Sequence, residues 1–272
     1  MYVVQCTPYG ALIRQDVPVS SQRSSAGDPA RTLELLWRDP PPAQRRGPVR
    51  GLKLDDVVAA AIDLADREGL QAVTMRRVAQ ALDVATMTLY TYVPAKAELL
   101  DLMLDAAYGQ MPRADTSGRP WRQRLMSVAE ENRVLFAAHP WAATVSTLRP
   151  PLGPGLMAKY EHELSALDEL GLDDVEMDDA LTYLLSFVQA SARASADADA
   201  AHRDSAMDDE QWWAANAPLL ARVLDQRTFP LATRVGAAAG AAHGSAHDPD
   251  HAYRFGLGRV LDGLAVLVDS HR

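Results

Sequence analysis

The chain has 272 residues, of which 48% are hydrophobic and 23% are charged, a composition typical of a globular protein with room for two domains. Its formal net charge of -9 argues against a protein that coats nucleic acid along its whole surface. A single cysteine, Cys6, excludes an internal disulfide framework and a paired-cysteine metal site. Because the apolar stretches are too short to span a bilayer and no signal-peptide pattern is present, we expect a cytoplasmic protein with no membrane partner.

The first part of the chain, residues 1–49, is predicted to be a flexible N-terminal arm. It mixes Ser, Gly, Pro and Arg without sustained periodicity, and the run PPPAQRRGPVRG at 40–51 suits neither a helix interior nor a sheet interior. Within the arm, the amphipathic stretch ARTLELLWR at 30–38 can form about two helical turns when it is docked. Disorder of this stretch remains an equal alternative.

A unit of three short helices is predicted over residues 50–95. Apolar residues recur at helical spacing from Leu54 to Glu68, and Gly69 ends this first helix. Thr74 is a suitable N-cap for a second helix, Met75 to Leu82. A third helix runs from about Thr86 to Tyr92, and Pro94 closes it.

The remainder of the chain, residues 96–272, is predicted to be a helical body. A long helix from Ala95 to Met111 leads into it, and no segment alternates as a strand does. The chain is therefore predicted to be all-α. We expect the Gly- and Ala-rich stretch Thr233 to Asp248 to be a flexible loop. The further predicted helices are Trp121 to Ala138, Pro154 to Leu170, Val175 to Ala201, Asp208 to Leu224 and Pro249 to Ser270.

The segment TMRRVAQALDVATMTLYTYVP at 74–94 has the residues that a helix-turn-helix requires. Ala79 is the small residue where the helices meet, and Asp83 occupies the turn, where it tolerates a left-handed backbone. The second helix of such a unit lies in the DNA major groove. We predict base contacts from its exposed side chains, which are Thr86, Met87, Thr88 and Thr91. We predict backbone or phosphate contacts from Arg50, Lys53, Thr74, Arg76, Tyr90, Tyr92 and Lys96.

Charge is distributed unevenly along the chain. Residues 45–96 hold eight Lys and Arg against six Asp and Glu, a net +2, so the remaining residues sum to -11. This asymmetry fits a small module that faces phosphate and an acidic body that faces something else. Arg45, Arg46 and Arg50 precede the first helix and could enter an adjacent minor groove.

The stretch from Leu52 to Leu104 resembles the DNA-binding domain of the tetracycline-repressor (TetR) family of bacterial regulators. The most specific part is the pattern TLYxYVxxKxxL, which Thr88 to Leu99 match. The run FGLGRVLDGLAVLV, Phe255 to Val268, resembles the last helix of the subgroup closest to the tetracycline repressor. Ala85, where the family often has a Ser or Thr cap, and the long arm before Leu52 are departures from the pattern.

This resemblance implies an all-α homodimer that binds double-stranded operator DNA and is released from it by a small-molecule inducer. It implies no catalysis and no cofactor. Apolar residues of two helices are candidates for the dimer contact, although their spacing equally allows burial inside one subunit. These candidates are Leu181, Leu184, Val188, Leu257, Leu261 and Leu264.

Aromatic and polar residues within the helical body are candidates for lining a ligand cavity. Their character predicts a flat or polycyclic, mainly apolar ligand, such as an antibiotic or secondary metabolite. The candidates are His139, Trp141, Arg149, Tyr160, Tyr183, Phe187, Gln189, Trp212 and Trp213.

Other chemistry finds little support in the sequence. His243, His247 and His251 have a metal-ligand spacing, but Gly244 and Pro249 interrupt the helix that would present them, so no metal site is predicted. The usual nucleotide-binding and hydrolase motifs do not occur, so no enzyme is predicted. The alternative to a regulator is a helical small-molecule-binding or scaffold protein whose helix-turn-helix has only a structural role.

Overall fold

A computed structural model describes residues 23–38, 51–145, 147, 149–204, 207–244 and 248–271. Within these residues the chain forms twelve α-helices, one short 3₁₀-helix and no β-strand, so the prediction of an all-α fold is confirmed. The helices are α1 (Pro29–Leu36), α2 (Leu54–Glu68), α3 (Met75–Ala81), α4 (Thr86–Tyr90), α5 (Lys96–Gln110), α6 (Trp121–Ala138), α7 (Pro140–Thr144), α8 (Pro154–Ser165), α9 (Asp174–Asp204), α10 (Asp209–Val223), α11 (Pro230–His243) and α12 (Pro249–Ser270).

Helices α2, α3 and α4 form a small unit, the head (residues 51–95), around its own apolar centre. Val57, Val78 and Leu89 contribute one buried side chain from each helix, and all three are 0% exposed. Val93, just beyond α4, is equally buried. Because each helix is too short to be stable alone, this shared core holds the three in place.

Local signals define the turn between α3 and α4. The hydroxyl of Thr74 accepts a hydrogen bond from the backbone N–H of Arg77 at 3.2 Å and so caps α3. Asp83 adopts φ +53°, and the N–H of Val84 donates to the carbonyl of Ala79 at 3.0 Å. The predicted cap and left-handed turn are therefore both present.

Helix α5 joins the head to the body, and helix α8 crosses it at very close range. A Cβ atom on Gly155 would lie 2.0 Å from the backbone carbonyl oxygen of Asp105, so only glycine allows this approach. The carboxylate of Asp105 in turn accepts a hydrogen bond from the N–H of Leu156 at 2.8 Å, in the first turn of α8. The start of α8 is thus fixed directly to the connecting helix.

A second core lies in the body, between α6, α9 and α12. The six predicted dimer-contact residues are all part of it, with exposures of 0% to 9% within a single chain. Within a single chain their apolar faces are already covered by α6 and by each other, as the alternative of burial inside one subunit expects, while a contact with a second subunit stays a prediction. These residues are Leu181, Leu184, Val188, Leu257, Leu261 and Leu264.

The loop predicted at 233–248 is mostly helical, and the stretch at 30–38 takes the helical one of its two predicted alternatives. Most of the expected loop at 233–248 belongs to α11, which begins with Pro230, ends at His243 and is capped by Gly244 at φ +66°. Alanine is the best helix former, and its abundance outweighs two glycines. In the expected arm, the described residues 23–38 include α1, whose Leu35 and Leu36 are buried at 7% and 4% exposure.

None of the helices in the described part of the chain is both long and apolar enough to cross a membrane.

Candidate functional site

Helix α4 is anchored by one side chain and presents the others outward. Leu89 is fully buried, whereas Met87 is 74% exposed and Tyr90 is 43% exposed. Thr88 and Thr91 are also exposed, and Thr86 is half-buried. Three of the four predicted base-reading residues are therefore open to solvent, as contact with a major groove requires.

The flanking residues predicted to contact the DNA backbone have mixed environments. Lys53 and Arg76 are exposed and meet the requirement for a phosphate contact. Arg77 is instead held by Glu68, with N–O distances of 2.7 and 2.8 Å. Thr74 is exposed, and its hydroxyl accepts the capping bond while keeping its own proton to donate. Arg50 lies outside the described residues.

Two predicted phosphate contacts, Tyr92 and Lys96, lie deeper in the head. Both are half-buried, and the ammonium of Lys96 is 3.5 Å from the carbonyl oxygen of Leu70. Burial lowers the pKa of Lys96 below its ordinary value. In this arrangement Lys96 supports the loop before α3 rather than extending into solvent.

The body contains a cavity of about 700 Å³ between α5, α6, α8 and α9, a volume that suits a drug-sized ligand. Its lining combines apolar side chains such as Phe136 and Leu185 with polar ones. Tyr160 and Arg193 are exposed, whereas Asn132 is buried, so the cavity runs from an open mouth to a buried floor.

A charged network forms the floor of this cavity. The ammonium of Lys159 lies 2.6 and 2.7 Å from the carboxylate oxygens of Glu163, and the amide of Asn132 donates to the same carboxylate at 2.6 Å. Lys159 also stands 5.5 Å from the ring centre of Tyr108. Burial, with the nearby acidic groups, raises the pKa of Tyr108 well above its ordinary value, so its hydroxyl stays neutral.

Only two of the residues predicted to line the cavity do so, Tyr160 and Gln189. Tyr183 is 55% exposed on the surface of α9. Phe187 stacks on Tyr253 at 5.8 Å in the body core. Sequence spacing alone could not distinguish these faces of one long helix, because α9 is contacted on several sides.

The other predicted ligand residues are also placed elsewhere. Trp212 and Trp213 stack at 6.5 Å on α10, and Trp213 packs against Gly240 of α11. Arg149 is exposed, and its carbonyl accepts a hydrogen bond from Ser24. None of these side chains lines the cavity, because α10 and α11 contribute no residue to its wall, and the loop before α8 reaches it through Thr147 and Pro150 but not through Arg149.

His139 and Trp141, also predicted to bind ligand, connect the body to the head. The indole N–H of Trp141 donates to Asp66 of α2 at 2.7 Å, and the Nδ1 atom of His139 lies 2.9 Å from the same carboxylate. Trp141 is only 3% exposed, whereas Asp66 is exposed, so the contact lies at the edge of the packed region. Sequence reasoning missed it because Asp66 is more than 70 residues away.

The C-terminal end of α7 is hydrogen-bonded to two side chains of the cavity wall. The side-chain amide of Gln189 donates to the carbonyls of Ala143 and Val145 at 3.2 and 3.4 Å. The guanidinium of Arg193 donates to the carbonyl of Ala143. Helix α7 therefore bridges two cavity-lining side chains of α9 and the first helix of the head.

Comparison with known proteins accounts for this architecture. Residues 57–103 match the family model of bacterial regulatory proteins of the tetR family, and residues 114–268 match the tetracyclin repressor-like C-terminal domain. The HTH-type transcriptional repressor DrrR1 of Streptomyces coeruleorubidus is 41% identical over 256 residues, which cover 93% of this chain and 92% of DrrR1. The chain belongs to the TetR family.

Further members of the TetR family extend the likeness to both domains. The class E tetracycline repressor of Escherichia coli is 26% identical, over 81% of this chain and 94% of its own. ActR from Streptomyces coelicolor, in a crystal structure with actinorhodin, is 28% identical in sequence to this chain. The two structures superpose with a TM-score of 0.64, over 80% of this chain and 97% of the ActR chain. The TetR family resemblance drawn from the sequence is thus confirmed.

Proposed function

We propose that this protein is a transcriptional repressor that binds operator DNA as a homodimer and leaves it when a small molecule occupies the body cavity. The observation that carries the proposal is the bridge through α7, which joins Gln189 and Arg193 at the cavity to Asp66 in the head. DrrR1 is named a repressor, and ActR has been crystallised with a small molecule. The protein acts in the cytoplasm by binding alone and performs no catalysis.

In this proposal, residues 50–95 form the DNA-binding domain and residues 96–272 bind the ligand and the second subunit. Thr86, Met87, Thr88 and Thr91 contact bases, because their side chains carry hydroxyl and methyl groups that suit major-groove edges. The residues proposed to contact the DNA backbone are Arg50, Lys53, Thr74, Arg76, Tyr90 and Tyr92. Lys96 stabilises the domain through its contact with the carbonyl of Leu70.

The proposed dimer contact uses the outer faces of α9 and α12, since their inner faces form the core of one chain. Val175 and Tyr183 of α9 are 70% and 55% exposed, and Phe255 and Val266 of α12 are 60% and 72% exposed. Large apolar side chains left in water on two adjacent helices are typical of an interface. A two-fold dimer places two heads at the spacing of two operator half-sites.

The proposed ligand is a flat, mainly apolar molecule that carries hydrogen-bond acceptors. Phe136 and Leu185 offer apolar walls, and Arg193 and Gln189 offer donors. A ligand oxygen that takes these donors would withdraw them from the carbonyls of Ala143 and Val145. Helix α7 would then shift its contact with Asp66, which changes the position of the head.

The proposal is tested with labelled DNA from the regions that flank the gene. We expect one fragment to bind far more tightly than a scrambled fragment, with affinity that falls steeply as salt rises because phosphate counterions are released. Actinorhodin serves as the first ligand probe, followed by a panel of polycyclic metabolites. Equal affinity for flanking and scrambled DNA at every salt concentration would show that the helix-turn-helix has only a structural role.

The bridge is tested separately with Trp141→Phe, which keeps an aromatic, though smaller, side chain and removes the indole N–H that donates to Asp66. We expect ligand to bind this variant while its effect on operator affinity falls severalfold. If ligand lowered the operator affinity of the variant as much as that of the unaltered protein, the cavity and the head would be coupled through contacts other than this hydrogen bond.

A further inference from the structure

The described N-terminal residues 23–38, here called the strap, lie outside both regions matched by the TetR family models. The strap contains α1 and packs along the connecting helix α5. Its buried residues are Ser24, Thr32, Leu35 and Leu36, at 3% to 7% exposure. Its position therefore depends on tertiary contacts and not on helix propensity, since eight residues form only a marginal helix alone.

Two carboxylates of α5 receive the backbone of the strap. Asp101 accepts a hydrogen bond from the N–H of Ser25 at 2.8 Å, and Glu98 accepts one from the N–H of Asp28 at 3.1 Å. Both acidic residues are buried, at 0% and 4% exposure. A Cβ atom on Gly27 would lie 2.2 Å from the Glu98 carboxylate, so glycine lets the backbone of the strap approach this carboxylate closely.

The strap also holds the loop between α7 and α8, which borders the cavity. The hydroxyl of Ser24 donates to the carbonyl of Arg149 at 2.6 Å, and that of Ser25 donates to the carbonyl of Pro150 at 3.1 Å. The indole N–H of Trp37 donates to the carbonyl of Leu152 at 2.7 Å. Pro150 itself lines the cavity.

The end of the strap reaches the head. Arg38 forms an ion pair with Asp55 in the first turn of α2. These side chains are 34% and 58% exposed, so the pair contributes little stability on its own. The ion pair matters for geometry, because it attaches the strap to α2 in addition to its attachments to α5 and to the cavity rim.

We propose that the strap is a brace that fixes the head against the rim of the cavity, and so sets the orientation in which the head meets DNA. The argument rests on three attachments of one segment, to the rim at 149–152, to α5 and to α2. This inference rests on the proposed function, because it assumes that the head binds operator DNA. It adds a connection between cavity and head that does not pass through α7.

The brace is tested in the full chain by hydrogen exchange with the double variant Ser24→Ala and Trp37→Phe, which removes two rim contacts. We expect amide exchange to accelerate about tenfold both in the strap and in the first two turns of α5. The matched control is Arg31→Gln with Glu34→Gln, since these two exposed side chains pair with each other within α1. Faster exchange within the strap alone, with α5 unchanged, would overturn the brace.

Operator affinity is the second measurement. We expect the double variant to bind about fivefold more weakly than the control at equal salt. An affinity within twofold of the control would overturn the orienting role. If even the unaltered protein binds no operator, the proposed function fails, while the exchange data still decide whether the strap braces the connecting helix α5. Arg38→Gln, which removes the ion pair with Asp55 and the guanidinium hydrogen bond to the carbonyl of Leu35, replaces the double variant if that one does not fold.

Discussion

Single side chains on α4 are expected to control operator affinity without affecting folding. Met87 is 74% exposed, so its truncation removes no packing within the chain. We expect Met87→Ala to weaken operator binding about tenfold, the value of a typical base contact, while its thermal unfolding stays unchanged. Met126→Ala, at a 49% exposed methionine of the body, is the control. Equal operator affinity of the two variants in a fluorescence anisotropy titration would exclude Met87 from the interface.

A buried carboxylate is expected to make stability depend on pH. Burial raises the pKa of Asp101 from 3.8 to about 6, with a smaller contribution from the charge of Glu98, against the opposing hydrogen bond from Ser25. Because the folded pKa lies above the unfolded one, this group stabilises the fold fully below about pH 4, and that contribution is lost as pH rises through about 6.

The substitution Asp101→Asn removes this titration and keeps an acceptor for Ser25. Between about pH 4 and 7, we expect the free energy of unfolding of the unaltered protein to fall, relative to that of the variant, by on the order of 2 kcal/mol. Urea unfolding at several pH values measures the difference. Stability curves that run parallel for the two proteins would show that Asp101 does not titrate in this range.

At the scale of elements, the crossing of α5 and α8 depends on one glycine. A Cβ atom on Gly155 would meet the carbonyl oxygen of Asp105 at 2.0 Å, and backbone atoms cannot move aside as a flexible side chain can. We expect Gly155→Ala to lower the free energy of unfolding by about 3 kcal/mol, as overpacking of a core does.

The matched control is Gly236→Ala in the interior of α11, where an added Cβ would have no neighbour within 4 Å. Alanine there should raise the free energy of unfolding by about 0.5 to 1 kcal/mol, because it loses less backbone entropy than glycine. Urea unfolding of both variants gives the comparison. A Gly155→Ala variant as stable as the control would mean that α8 can shift along α5 at little cost.

At the scale of the whole molecule, operator binding is expected to require two copies of the chain. Val266 is 72% exposed on α12, and Val266→Arg would place a charge in the proposed dimer contact. We expect this variant to elute as a monomer in size-exclusion chromatography with light scattering, and to lose about 100-fold in operator affinity as the two heads no longer act together.

The control for the dimer is Val134→Arg, at a 45% exposed valine of α6, outside the proposed contact. It should remain a dimer and bind operator normally. If the Val266→Arg variant were still a dimer, the interface would have to lie on another exposed apolar surface, such as that of α10 and α11.

Local sequence was enough to identify the head and its family. Thr74, Asp83 and Leu89 define a cap, a turn and an anchor within 16 residues, so their roles depend on backbone and packing rules that operate over short distances. The exposed face of α4 follows directly, since burial of Leu89 determines which side chains point outward.

The body was predictable only as a set of helices. An apolar stripe such as that of Leu181 and Leu184 indicates burial but not the partner, and the tertiary structure shows that the partner is the same chain. Likewise, Lys159 and Glu163 have the spacing of a solvent-exposed pair, yet they lie buried at the floor of a cavity. Periodicity defines a helix face, while packing decides what covers it.

The helix-turn-helix was thus determined by the sequence itself, whereas the connections that would make it controllable were decided by the tertiary structure alone. Trp141 contacts Asp66 and Ser25 contacts Asp101 across separations of 75 and 76 residues. No local pattern predicts such pairs, because their free energy arises only when distant segments have already been brought together by the hydrophobic cores.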